Sequence, residues 1–144
     1  MDRDELAARL AAALPGTRLS NIGDQTPGWR PEPGHCHENA SRWVEANPTY
    51  AIVHGWLNAR GETFEKRLRF HSHSIVRSAG GELLDISLSE SAPNYAFILH
   101  PFDDDHFRRE IIGRIPTVDH LLGPDPVIPP DWYREDPSLD NRFL

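Results

Sequence analysis

The sequence predicts an α+β domain in which a helix carrying the chain's single cysteine packs on an antiparallel sheet carrying a histidine and an aspartate. Two observations predict it. Cys36, Ala40, Trp43 and Val44 recur at helical spacing on one face between Cys36 and Glu45, and a series of β-rich runs separated by turn residues follows. A length of 144 residues suits one domain spanning 1–144, with an N-terminal helix and loop over 1–33, a core over 34–101 and a proline-rich C-terminal tail over 116–144 wrapped on that core.

The elements follow in order. Leu6, Leu10 and Leu14 stand at i, i+4 and i+8 among alanines, which predicts a packing helix from Asp4 to Leu14 ended by Pro15-Gly16. The stretch from Ser20 to Gly34 is rich in Gly, Pro, Asn and Asp and predicts an extended loop; a loop that long in a small domain tends to serve a site. The helix that opens at Cys36 stops at Asn47-Pro48. Strands are expected over Tyr50 to Leu57, Phe64 to Arg77, Glu82 to Ser87 and Tyr95 to Leu99, with turn chemistry at Asn58 to Glu62 and Ser78 to Gly81. Beyond Pro116 an irregular tail is expected, with Trp132, Tyr133 and Phe143 scattered among charges.

Composition excludes several classes. A net charge of −7, from 15 Lys and Arg against 22 Asp and Glu, offers no basic face for phosphates, so no nucleic-acid partner is expected. No stretch of eighteen apolar residues is present to cross a bilayer, and the N-terminus lacks a basic and then apolar leader, so a soluble cytoplasmic protein without a membrane partner is expected. One cysteine rules out an internal disulfide and a Cys-rich zinc module, leaving packing, a single metal ligand or a nucleophile.

The nucleophile reading has a physical basis. A thiol is reactive as the thiolate, and the first turn of a helix favours negative charge through unpaired N–H groups and the positive end of the dipole. Cys36 is placed there. The thiol also needs a base, and the base needs an acceptor to orient it. His73 and Asp85 fill these roles if the hairpin between them puts both on one face. A three-residue turn at Ala79-Gly80-Gly81, with glycine in the left-handed region, does so; a two-residue turn would put Leu84 and Ile86 there instead.

The strings GHCHENASRW, YAIVHGW, FHSHSIVRSAGGELLDIS and YAFILHP, in this order over Gly34 to Pro101, resemble the papain-like and transglutaminase-like cysteine hydrolase superfamily, in particular its small bacterial and phage members. In that superfamily a cysteine opens a helix, a histidine opens a strand, and an Asp or Asn follows on the next strand. The resemblance implies a papain-like fold, a catalytic triad of Cys36, His73 and Asp85, no cofactor, and a partner that is an amide- or thioester-containing substrate such as a protein or peptide. It implies a cysteine-dependent hydrolase or acyltransferase working through an acyl-enzyme. The chain departs from the papain pattern in having no Gln a few residues before Cys36, so Gln25, Asn21 or backbone N–H groups are the candidate oxyanion donors.

Each residue also has a structural reading. A cysteine on an inward helix face often only packs, a strand histidine is often only hydrogen-bonded, and Asp85 could be a surface acid beside a turn. His71 shares the face of His73 and is the rival base; Ile75 and Val76 embed His73 deeper in the strand. Trp43 and Trp56 read as core, although Trp56 after Gly55 could line a cleft. Two further functions stay open. His35, His37, His71 and His73 form two His-x-His pairs that could hold a metal, although i and i+2 on a helix point apart. A noncatalytic binding module using the tail is the other.

Overall fold

The computed structural model describes residues 2–59, 63–64, 66–88 and 95–122. Helix α1 (Arg3–Ala12) starts at Asp2, whose carboxylate accepts from the backbone N–H of Asp4 and Glu5, and it buries Leu6, Ala7 and Leu10. Helix α2 (Cys36–Ala46) buries Ala40 and Trp43, as the spacing predicts, and also Asn39. Eight strands are described: β1 (Thr17–Arg18), β2 (Ser20–Asn21), β3 (Ala51–Ala59), β4 (Thr63–Phe64), β5 (Arg67–Arg77), β6 (Leu83–Asp85), β7 (Tyr95–Leu99) and β8 (Thr117–Leu121). Between the last two lie a short helical turn α3 (Asp104–His106) and a π-helical turn over Phe107–Ile111. The fold is mixed α+β, and no helix among the described residues is long and apolar enough to cross a membrane.

The strands form one sheet of order β1-β7-β3-β5-β6-β2. Strands β1 and β2 stand at opposite ends of that order, yet only Leu19 separates them in the chain. The sheet must therefore curl until its two ends meet on the single stretch 17–21, which pairs with β7 through Thr17 and Arg18 and with β6 through Ser20 and Asn21. Val53, Leu57, Ile75 and Phe97 fill the inside of this curl with Leu19, Leu83, Leu88 and Tyr95 packed on them. The outer face carries the even-numbered residues of β3 and β5. Trp56 and Phe70 pack there against α1 and the π-helical turn, and Val76 packs with Leu84 against Ala40 and Trp43 of α2.

Strand β5 is the spine. Along one edge it pairs with β3 and β4; along the other it pairs with β8 through Arg67 to His71 and with β6 through Val76 and Arg77. On that second edge Ser72 donates its N–H to the carbonyl of Pro116 at 2.9 Å, and residues 73–75 have no strand partner among the described residues. The N-terminus of α2 lies against this gap, where the Cys36 thiol meets the carbonyl of Ser72 at 3.9 Å.

Several expectations need correction. The stretch from Ser20 to Gly34 is not loop throughout: it contains β2 and a 3₁₀ turn at Gly23–Gln25, and Trp29 fastens it by donating to the carbonyl of Ile86 at 2.8 Å and meeting Trp43 edge-on. The second strand starts at Arg67 rather than Phe64, because the chain reverses at Lys66, whose φ is 62°. The third ends at Asp85, whose side chain bends the chain at Ser87. Asn58 belongs to β3; residues 60–62 of the expected turn lie outside the described residues. Past Pro116 the chain is not irregular throughout, since Thr117–Leu121 forms β8; Trp132, Tyr133 and Phe143 lie outside the described residues. Trp56 is fully buried, as its core reading expects.

Candidate active site

The turn between β5 and β6 decides what faces what. Ser78 and Glu82 pair through a backbone hydrogen bond of 2.9 Å, enclosing the three residues Ala79, Gly80 and Gly81, and Gly81 has φ 89°, which a side chain would strain. This odd loop opposes Val76 to Leu84, so His73 and Asp85 both point into the curl. They meet there: His73 Nε2 lies 2.8 Å from Asp85 Oδ2, with both side chains buried. Asp85 Oδ1 accepts from the N–H of Ser87 at 2.7 Å and of Leu88 at 3.0 Å, and the carbonyl of Asp85 accepts from the N–H of Ile22. The carboxylate is thus held on both oxygens. Behind His73 stands Gly55, its register partner; a Cβ there would lie 2.3 Å from the carbonyl oxygen of Ile98 and 2.4 Å from the Phe97 ring, so only glycine lets the layers close.

His73 Nε2 is committed to Asp85, which leaves Nδ1 for the thiol, and the two groups are close enough that each shifts the other's protonation. The helix packs on the outer face, whereas His73 projects inward. The edge at 73–75, without a strand partner among the described residues, reconciles the two, because the first residue of α2 reaches His73 around the side of the strand.

The electrostatics follow from these contacts. Burial alone would push the Cys36 thiol up, but hydrogen bonds from His37 and His73 and their positive charge outweigh it and bring it down to about 6. Burial alone would lower His73, but the hydrogen bonds to Asp85 and Cys36 outweigh it and raise the imidazole to about 9. Asp85 is pulled below the usual carboxylate range, its burial overcome by His73 and by the two backbone donors. Between these limits the thiolate, imidazolium and carboxylate coexist. No side chain caps α2, so its first N–H groups add to the positive field at the sulfur.

The site opens into a cleft of about 830 Å³, bounded by Pro31 and Pro33 on one side, Ile111 to Thr117 on another, and the strand residues His71, Ser72 and His73. His71 is half-buried in the wall beside Thr117. Neither oxyanion candidate lines the cleft: the 3₁₀ turn leaves Gln25 exposed, and Asn21 lies on β2 alongside Asp85. The four histidines do not converge either. His35 is exposed and pairs with Glu38 at 3.2 Å, whereas His37, two positions on, points to Ser74. Among the described residues no group of three or more His, Cys, Asp or Glu is arranged to hold a metal ion.

Three features escape a reading of the residues alone. His37, considered only as a metal ligand, is a second group that lowers the thiol, with its Nδ1 2.6 Å from Ser74 Oγ. Ser74 in turn lies 2.8 Å from Nδ1 of His54, its register partner on β3, which stacks on Phe107. Asn39, one helical turn past Cys36, takes the N–H of Glu32 and gives to the carbonyl of Glu32 and to Ser87 Oγ, so it ties the loop wall of the cleft to the helix and to the chain after Asp85. One helical turn from Cys36 is the signal that could have found Asn39, and shared parity with Ser74 on paired strands the signal for His54. No family model, curated protein or solved structure matches the chain significantly.

Proposed function

We propose that this protein is a cysteine-dependent hydrolase or acyltransferase of the papain-like kind, acting on an amide or thioester carbonyl. The observation that carries the reading is the His73–Asp85 pair at 2.8 Å with Cys36 beside it at the start of α2, next to a cleft large enough for a small acyl group and its leaving group.

In this reading the Cys36 thiolate attacks the carbonyl carbon, forming a C–S bond as the carbonyl electrons move to oxygen. The N–H of Cys36 at the uncapped helix start donates to that oxyanion, and His37 replaces Gln25 and Asn21 as the side chain placed to give a second hydrogen bond. As the tetrahedral intermediate collapses, His73 gives its Nδ1 proton to the leaving amine and the C–N bond breaks; with a thioester a thiol leaves instead. Asp85 holds the ring in position throughout. Water then attacks the thioester, giving up its proton to His73, and the acid is released; an amine as acceptor gives transfer.

The test is the rate of Cys36 alkylation by iodoacetamide against pH. Because Cys36 is the chain's only cysteine, no other thiol contributes. The expected profile has its midpoint near 6 in the parent, and in His73→Ala a midpoint moved up toward the free-thiol value of about 8.5. A parent profile already at the free-thiol value, unmoved by the substitution, sinks the reading.

A further inference from the structure

We propose that the substrate of this site carries a carboxylate near its scissile carbonyl and that Arg114, at the wall of the cleft, receives it. The inference rests on the thiol-enzyme reading and names its substrate class.

The charge of the cleft opposes that of the molecule. The chain carries −7, yet no Asp or Glu appears among the described residues lining the cleft, while Arg114 does. The positive end of α2 points at the same space. A cleft of this sign surrounded by an acidic surface selects negative ligands locally, against the long-range field.

Arg114 carries the one guanidinium among the described residues lining the cleft. Arg9 pairs with Glu5, Arg69 pairs with Asp119 through two nitrogens, Arg108 pairs with Asp105, and Arg42 donates to the carbonyl of Arg30 and lies over the Trp29 ring. The Arg114 side chain is exposed and has no ion-pair partner among the described residues. Its backbone is fixed, with its N–H donating to the carbonyl of Ile111 at 3.0 Å and Pro116 two residues on leading into β8. A planar fork of N–H donors on an anchored turn matches the geometry of a carboxylate, which it can hold through two hydrogen bonds. The apolar side chains of Leu57, Leu88, Tyr95 and Ile111 between the charged groups would cover the intervening part of the substrate.

The test needs no knowledge of the natural substrate. Bromoacetylglycine and bromoacetylglycinamide differ only in the charge of one terminal group. With either, the Cys36 thiolate forms a C–S bond at the methylene carbon as the C–Br bond breaks and bromide leaves. The readout is the ratio of second-order rate constants, anionic over neutral, in the parent, Arg114→Gln and Arg114→Glu. The parent ratio is expected about fivefold or more above that of N-acetylcysteine amide, Arg114→Gln lowers it by about that factor, and Arg114→Glu lowers it further. Each ratio is taken against the neutral probe on the same protein, so a change in thiolate reactivity common to both probes cancels, and circular dichroism of each variant reports an intact fold. An equal ratio in the three proteins overturns the role of Arg114. The neutral probe also separates the two readings: if its pH profile in the parent is that of a free thiol, the thiol-enzyme reading fails and takes this inference with it.

Discussion

Ser74 has one hydroxyl proton and two imidazole nitrogens to satisfy, Nδ1 of His37 and Nδ1 of His54. If the hydroxyl donates to His54, a neutral His37 carries its own proton on Nδ1 and presents a bare Nε2. If it donates to His37, that ring carries the proton on Nε2 and can donate to sulfur or to an oxyanion. The rotation of one buried hydroxyl therefore sets whether His37 takes or gives a hydrogen bond beside the thiol. Ser74→Ala should cost about 1–3 kcal/mol in urea unfolding, since two ring nitrogens lose a partner, and should raise the midpoint of Cys36 alkylation by less than His73→Ala does. At this scale the sequence was informative about residue type and silent about partners. Cys36, His73 and Asp85 were legible because each role demands a particular chemistry at a helix start or on a shared strand face. His37 was not, because helical spacing indicates where it points relative to His35 and says nothing of a serine on another strand.

The turn at residues 79–81 works as a length gauge for the site. Gly81→Ala should lower stability by about 1–2 kcal/mol through its positive φ. It should leave the alkylation profile where it was, because β6 is also held by β2, and Asn39 holds Ser87 just beyond it. Deleting Gly80 is a different experiment. A two-residue loop shifts the register by one and turns Asp85 outward, so the thiol midpoint should rise as it does when His73 is removed. The turn could be anticipated from Ala-Gly-Gly between two apolar runs. Strand β8 could not, because the proline-rich stretch around it reads as irregular chain and its pairing with β5 comes from far away in the sequence. The same distance hid the edge at residues 73–75, which lacks a strand partner among the described residues because β8 and β6 stop short of each other along one strand.

For the whole molecule, the protonation states of the site determine how stability responds to pH. His73, raised to about 9, contributes stability below the unfolded value of about 6.5 that is lost as pH rises through 9. Cys36, lowered to about 6, contributes stability above its unfolded value that is lost as pH falls through 6. Between about 6.5 and 8.5 the folded pair holds one proton, on histidine, and the unfolded pair also holds one, on sulfur. Their contributions to the slope cancel, and the pair leaves stability flat in that window. Cys36→Ser removes half of the balance: stability should then fall as pH rises above about 6.5, by at most about 1.4 kcal/mol per pH unit, in urea unfolding at pH 7 and 8.5. On the acid side both proteins should weaken together. His54 is lowered by burial, and His100 by burial and its neighbours His106 and His54 to about 4, so the unfolded chain takes up protons below about 6.5 that the folded one refuses.

The closure of the sheet on residues 17–21 has a kinetic meaning. A helix can form as soon as its own residues exist, but this segment can dock only when β7 and β6, both distant in sequence, already stand at the correct separation. Loop-closure entropy is spent before those contacts form, which places the chain among slow folders, in milliseconds to seconds rather than the microseconds of a helical bundle. Since Ile22 also holds the carbonyl of Asp85, the site is completed no earlier than this last stave is set. During refolding, the reactive thiolate should emerge with the slowest phase, well after helical circular dichroism has recovered.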